Sequence, residues 1–232
     1  MLHTPMDVLK QFPVRKTKEQ KRLFREAVID WAKRQGYPVT VEYAGFGVCN
    51  VVIGDAENAD YLVTACVNSL SAVITILEIA RTLQENQRHK VCFVLFDQKE
   101  KGLLGSRAYR KAHKAATERQ FVIHLDCVGD GDVLRMYPTP KLKKDRKKLT
   151  SLYTACGYFG KKSLLVEEKG SMCCISDYRH FPMGVCIMAM RKGNMGLYLG
   201  KIHTRRDTVL EETNVNILRA ALTTYICRDA AQ

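Results

Sequence analysis

Residues 91–106 read VCFVLFDQKEKGLLGS, and the two halves of this stretch obey different rules. Six apolar residues in a row, most of them branched or aromatic, have the length and composition of a strand covered on both faces. The charged turn that follows carries Asp97, Lys99 and Glu100, and Gly102 opens a helical stretch. A strand buried on both sides belongs to a mostly parallel sheet with helices packed on each face. Ligands of such sheets bind beyond the carboxyl ends of the strands, so an acid at a strand end is better placed for chemistry than one mid-strand. Glu100 is the first such carboxylate.

Helix and strand signals alternate outward from this stretch. Upstream, Thr17 with Gln20 has the form of a capping box, and the segment that follows puts Leu23, Ala27, Val28 and Trp31 on one helical face before Gly36 stops it. Residues 37–44, 51–53 and 61–65 read as strands, with the polar turn 55–60 between the last two. Residues 71–83 are apolar almost all round, and their length favours a buried helix despite the β-branched content. Downstream, 102–115 is expected to be helical, and 121–128 (FVIHLDCV) is a second buried strand with Asp126 at its end. A short strand at 132–137, a helix at 144–158 and a strand at 164–166 follow. A polar loop at 170–182 contains Asp177 and His180, 185–190 is a buried strand, and a loop with His203 precedes a helix over 214–228 capped by Thr213 or Asn214. The predicted architecture is α/β: a three-layer αβα sandwich around a mixed, mainly parallel sheet, forming one domain over residues 1–232.

Composition narrows the function classes. The nine cysteines are odd in number, several lie in apolar runs, and no CxxC pair has zinc-site spacing, which argues for free buried thiols. The sequence shows neither a signal-peptide core nor a run of about 18 apolar residues, so no membrane span is expected and the cytosol is the expected compartment. The net charge of +13 gathers in runs at 15–25, 107–114 and 141–148, read as solvated basic helix faces. No aromatic interleaving or recognition-helix pattern accompanies them, so nucleic-acid binding is not expected despite the charge.

Three polar residues then stand at strand ends or in the last loop: Glu100, Asp126 and His203. Two carboxylates and an imidazole on separate loops can bind a borderline ion such as zinc. Each alone is more often structural, the acids as helix caps and the histidine as a hydrogen-bonded loop residue.

The motifs carry a resemblance. VLFDQKEKGLLGS resembles the F…EE-x-GLxGS segment of the M28 family of zinc aminopeptidases, and FVIHLDCVG resembles its strand ending in a metal-binding aspartate. SDYRHF and IHTRRDT resemble its SDHxxF and HTxxDT motifs, in the same order, so that the likeness spans about residues 50–218. It implies a zinc-exopeptidase-like fold, a two-zinc centre and action on peptide or protein N-termini. By this resemblance Asp126 matches a ligand of the first zinc, Glu100 and His203 match ligands of the second, and Asp177, His180 and Asp207 shape the substrate cleft without ligating.

The departures matter as much. Where the family has an A-H-x-D-S strand end, a loop, and then D-N-x-S-G-V opening a helix, this chain has TACVNSLSAV. The simplest reading is that the loop is absent, the first histidine is replaced by Cys66, and the bridging aspartate is replaced by Asn68 or lost. The family's general base corresponds to Lys99. An amide offers neither the charge nor the strong bridge that two dications need. An ammonium repels metal and accepts no proton near neutral pH. Cys66 supplies a ligand only as a thiolate. The expectation is therefore one zinc or none, an M28 aminopeptidase-type hydrolase impaired or inactive in this sequence, and Lys99 pairing with Glu100 or Asp126 if it points into the site. The alternative is a non-catalytic peptide- or protein-binding module on the same fold.

Overall fold

The computed structural model describes residues 2–15, 17–158, 162–165, 175–194, 196–199 and 210–228. The apolar run in the opening stretch forms strand β4 (Val91–Phe96), buried at every residue. Before it come α1 (Asp7–Gln11), α2 (Lys18–Arg34), β1 (Val39–Ala44), β2 (Val48–Ile53), β3 (Tyr61–Cys66) and α3 (Leu70–Thr82). After it come α4 (Leu104–Ala112), α5 (Lys114–Arg119), β5 (Phe121–Leu125), β6 (Val133–Pro138), α6 (Pro140–Lys144) and α7 (Arg146–Tyr158). Strands β7 (Lys162–Leu165), β8 (Gly184–Gly193) and β9 (Gly196–Tyr198) and helix α8 (Glu212–Arg228) complete the described elements.

The strands form one sheet in the order β1-β2-β4-β3-β5-β8-β6-β7, with β9 as a hairpin on β8. Its centre is parallel, through the β4–β3, β3–β5 and β5–β8 pairs, while β1, β2 and β6 bring antiparallel neighbours. The expected mixed, mainly parallel sheet is what forms. Side chains alternate across β4: Val91, Phe93 and Leu95 join a large core with α2, α3, α7 and α8, whereas Cys92, Val94 and Phe96 join a smaller one with Tyr109 of α4. That alternation produces the three layers. Helix α3 is buried from Leu70 to Ala80 except at Ser71, as a helix apolar all round should be. The register Cys66↔Phe96 and Ala65↔Leu125 brings the ends of β3, β4 and β5 level, so the segments that follow all emerge at one edge. No helix among the described residues is long and apolar enough to cross a membrane.

Several expected boundaries shift for physical reasons. The Thr17–Gln20 capping box forms with both bonds at 3.1 Å, but the buried face of α2 is Phe24, Val28, Trp31 and Ala32, and Leu23 is 44% exposed. Adjacent Leu23 and Phe24 compete for the core. The larger ring wins, packed edge-on to Phe12 at 5.8 Å with the Arg15 guanidinium over it. The helix expected at 102–115 starts later, because Gly102 and Leu103 are left-handed (φ 91° and 59°), and it breaks at His113 before continuing as α5. The helix expected at 144–158 forms as α7 from Arg146, because Lys144 ends the separate α6 and the Asp145 carboxylate accepts the Lys148 N–H at 3.0 Å. Asn214 lies inside α8 rather than capping it, and its amide donates to the Gly131 carbonyl at 3.2 Å. Residue 166 of the strand expected at 164–166 lies outside the described residues.

Candidate functional site

The strand ends are held by buried polar bonds. Asn50 of β2 accepts the Asp97 N–H at 3.1 Å and donates to the Gly105 carbonyl at 3.0 Å, fixing the turn after β4 to the start of α4. The Asp97 carboxylate accepts the Gln98 N–H at 2.9 Å and faces Lys21 and Arg25 of α2, each 3.7 Å away. Gln98 is left-handed at φ 54°, and its side chain donates to the Phe46 carbonyl in the β1–β2 turn at 2.9 Å. Phe46, Gln98, Leu103 and Cys127 are the non-glycine residues of positive φ among those described, and all four lie at this end of the sheet. Such conformations cost roughly 1–3 kcal/mol each and concentrate where a site is held in a set shape.

At the centre, the Lys99 ammonium pairs with the Asp126 carboxylate. Burial opposes charging Lys99, but the Asp126 carboxylate outweighs it and holds the ammonium above the ordinary lysine range. Burial likewise pushes Asp126 up, and Lys99 together with His124 and the Ser176 hydroxyl more than offsets it, so the carboxyl titrates below its ordinary value. Asp126 also accepts a bond from the Ser176 hydroxyl at 2.8 Å. Ser176 has spent its one proton there, so it accepts from His124 Nε2 at 2.9 Å, and His124 Nδ1 in turn accepts a hydrogen bond from the Thr64 hydroxyl at 2.8 Å. Complete burial pushes His124 down to about 4, so this imidazole is neutral at neutral pH. The chain Thr64–His124–Ser176–Asp126–Lys99 thus ends on a fixed internal cation.

A second pair lies beside the first. Asn68 Nδ2 donates to Glu100 Oε1 at 2.7 Å. Burial raises Glu100, but the Asn68 bond together with Lys21 and Lys99 lowers it further, so the exposed carboxylate is ionised. The Asn68 Oδ1 atom is buried and has no hydrogen-bond partner among the described residues. Cys66 lies beneath, fully buried, with its sulfur accepting the Asn68 N–H at 3.4 Å; burial pushes its thiol up to about 12.

The structure therefore brings together Lys99, Asp126, Asn68, Glu100 and Cys66. Asp177 and His180 lie to one side, joined through Ser106, whose hydroxyl is 2.5 Å from Asp177 Oδ1 and 2.9 Å from His180 Nδ1. Burial raises Asp177 to about 6, and burial with Arg107 nearby lowers His180. His203 and Asp207 lie outside the described residues. The sequence reading missed Thr64, His124, Ser106 and Ser176, although Ser106 and Ser176 stand inside the quoted motifs. It also misread the basic run at 15–25 as uniformly solvated. Arg15 is buried and donates to the carbonyls of Val67 (3.1 Å), Asn68 (2.9 Å) and Phe12 (2.6 Å), and Lys21 and Arg25 face Asp97. A segment near the N-terminus thus ties down the turn that carries Asn68.

These residues do not fit a zinc pair. Asn68 is neutral and already donates to Glu100, Cys66 is a protonated thiol, and Lys99 delivers a positive charge to the carboxylate a dication needs. Among the described residues no three His, Cys, Asp or Glu side chains converge as a metal site. Among the described residues neither Lys99, which is protonated, nor His124, which is spent on two hydroxyls, is free to take a proton from water. What this arrangement offers a ligand is the exposed Glu100 carboxylate and a rigid rim.

Comparison with known proteins adds the lineage. The model of peptidase family M28 matches residues 69–224, beginning just past Asn68. No curated protein sequence matches this chain. Among solved structures, Porphyromonas gingivalis glutaminyl cyclase superposes with a TM-score of 0.74 at 16% identity, covering 97% of this chain and 95% of its own. A putative zinc-dependent exopeptidase from Bacteroides vulgatus gives 0.65 at 15%, covering 95% and 92%. The LapA aminopeptidase of Legionella pneumophila gives 0.69 at 14%, covering 98% of this chain and 70% of its own. At these identities the likeness is one of fold.

Proposed function

Because the chain belongs to peptidase family M28, we propose that it is an aminopeptidase-type protein whose hydrolytic centre has been replaced by an internal cation, and that it binds peptide or protein N-termini without cleaving them. The observation that carries this reading is the Lys99–Asp126 pair. A carboxylate that serves a dication in the family here serves an ammonium of the same chain, which removes the demand for metal and the means of activating water. Recognition of an N-terminus is supported by what is left open. An α-ammonium requires an acceptor, and the ionised, exposed Glu100 carboxylate, held in place by the Asn68 amide, supplies one.

The test pairs calorimetry on metal-stripped protein with a peptide-release assay. Free-amine peptides are expected to bind saturably without release of an amino acid, and their N-acetylated counterparts at least about tenfold more weakly, the equivalent of about 1.4 kcal/mol. Glu100→Gln should abolish that preference. Stoichiometric zinc that is lost in His203→Ala, together with chelator-sensitive release of the N-terminal residue, would establish a working hydrolase and overturn the proposal.

A further inference from the structure

The basic run at 141–148 is not one solvated face. Lys141 pairs with Glu118 at 3.9 Å and Lys148 turns its ammonium over the Phe121 ring at 5.9 Å, whereas Arg146 and Lys147 line a groove of about 600 Å³ between α7 and α8. Its volume falls within the roughly 300–1,000 Å³ of small-molecule sites. None of its lining residues belongs to the centre around Lys99 and Asp126, so what it binds is independent of the peptide-binding reading above.

The groove is built in rows. Along α7, Arg146, Thr150, Thr154 and Tyr158 are spaced by four and share one side of the helix, with Lys147 and Ser151 in the row beside them. The last turns of α8 supply the opposite wall through Thr224 and Arg228. Tyr225 forms a rigid floor, 3% exposed and packed edge-on to Tyr61 and Phe121 with centroids 5.8 and 6.0 Å away. One end of the α7 wall is cationic and the other aromatic: Arg146 and Tyr158 stand about 18 Å apart along the helix axis, and Tyr158 is 75% exposed.

Charge in the groove has one sign. Among the described residues no carboxylate lines it, and Lys147 and Arg228 form no ion pair. The first turn of α7 holds Arg146, Lys147 and Lys148 and no acid, so beyond the Asp145 cap these cations crowd the positive end of the helix dipole. An anion bound there satisfies the side chains and the dipole together.

We propose that the α7–α8 groove binds a nucleotide, with its phosphates on Arg146, Lys147 and Arg228, its ribose among the threonine and serine hydroxyls, and its base against the Tyr158 ring. Phosphate oxygens are the acceptors that guanidinium and ammonium groups recognise. Hydroxyls both donate to and accept from a sugar, and an exposed aromatic face stacks a base. A bare polyanion would use the cations and leave the hydroxyls and the ring without a role.

The experiment is calorimetric titration of the whole chain with ATP, adenosine and inorganic triphosphate without divalent cations, repeated on Lys147→Glu, Arg228→Glu, Tyr158→Ala and Tyr158→Phe. Thermal midpoints of the variants should stay close to that of the wild type, because these side chains are exposed. ATP is expected to bind with a Kd below about 0.1 mM, and adenosine and triphosphate each at least about tenfold more weakly. Each charge reversal should weaken ATP at least about tenfold and leave adenosine unchanged. Tyr158→Ala should weaken ATP and adenosine about fivefold or more and leave triphosphate unchanged, and Tyr158→Phe should retain all three affinities. On the wild-type chain alone, absence of ATP binding would overturn the proposal, and triphosphate binding as tightly as ATP would overturn it in favour of a simple polyanion patch. A single-stranded oligonucleotide that displaces ATP when present at far lower concentration would overturn it in favour of a nucleic-acid surface. Charge reversals that leave ATP affinity unchanged would overturn it by placing the nucleotide elsewhere on the chain.

Discussion

At Lys99 and Asp126 only 23% and 4% of the side chains are exposed, so each charge depends on the other rather than on water. Removing one partner strands the other. Lys99→Met should therefore cost about 3–5 kcal/mol in urea denaturation, and the Lys99→Met, Asp126→Asn double variant should recover a large part of that loss. Strictly additive effects in this cycle would mean that the two side chains are not coupled. Gly105 gives a second prediction of a different kind. A β-carbon there would meet the Asn50 side-chain oxygen at 2.6 Å and the Asp97 backbone N at 2.7 Å. Neither neighbour can yield without disturbing the bonds that position the turn after β4, so Gly105→Ala should destabilise by about 1–3 kcal/mol. An unchanged urea midpoint would show that α4 can slide away from β4.

The break between α4 and α5 holds a titratable clasp. His113 Nε2 lies 2.6 Å from Glu42 of β1, its Nδ1 lies 2.5 Å from Glu57 in the turn before β3, and its ring leans against Tyr109 with centroids 4.3 Å apart. Burial opposes charging this imidazole, but the two carboxylates outweigh it and raise its pKa. A raised folded-state value contributes stability that is complete below the unfolded value of about 6.5 and is lost as pH rises through the folded value. Stability read from urea titrations should therefore fall as pH rises above about 6.5, by about 1 kcal/mol or less because Glu57 is 59% exposed. His113→Gln should flatten that slope, and an identical slope in the variant would exclude the clasp. No sequence pattern announced it, because its three members come from separate elements. Strands β4 and β5, in contrast, were legible, since burial on both faces writes an apolar run, unbroken in β4 and interrupted in β5 by His124 alone. Glu100 and Asp126 were legible for a related reason, standing where those runs stop. Ser176 and Thr64 were not, because they reach His124 across separations of 52 and 60 residues that only the strand order brings together. The buried face of α2 was misjudged by one position, as adjacent apolar residues leave a helical stripe ambiguous until the neighbouring rings choose.

Over the whole molecule, the proposed replacement of the metal by Lys99 predicts a global stability indifferent to metal. Neither chelator nor added zinc should move the melting temperature. A zinc site at a hundredfold excess over its dissociation constant would add about 2.7 kcal/mol, several degrees for a chain of this size, so a shift of that order would sink the prediction. The strand order carries a last consequence, for how the chain is made. Strand β8 lies between β5 and β6, although it follows both in the sequence. While the protein leaves the ribosome, β5 presents a bare parallel edge until residues 184–193 have emerged. Ser176, which ties His124 to Asp126, arrives only just ahead of that strand. The nascent chain therefore exposes an apolar edge and an incomplete polar core together for much of its synthesis, the condition in which holding chaperones bind and premature strand pairing between neighbouring chains begins.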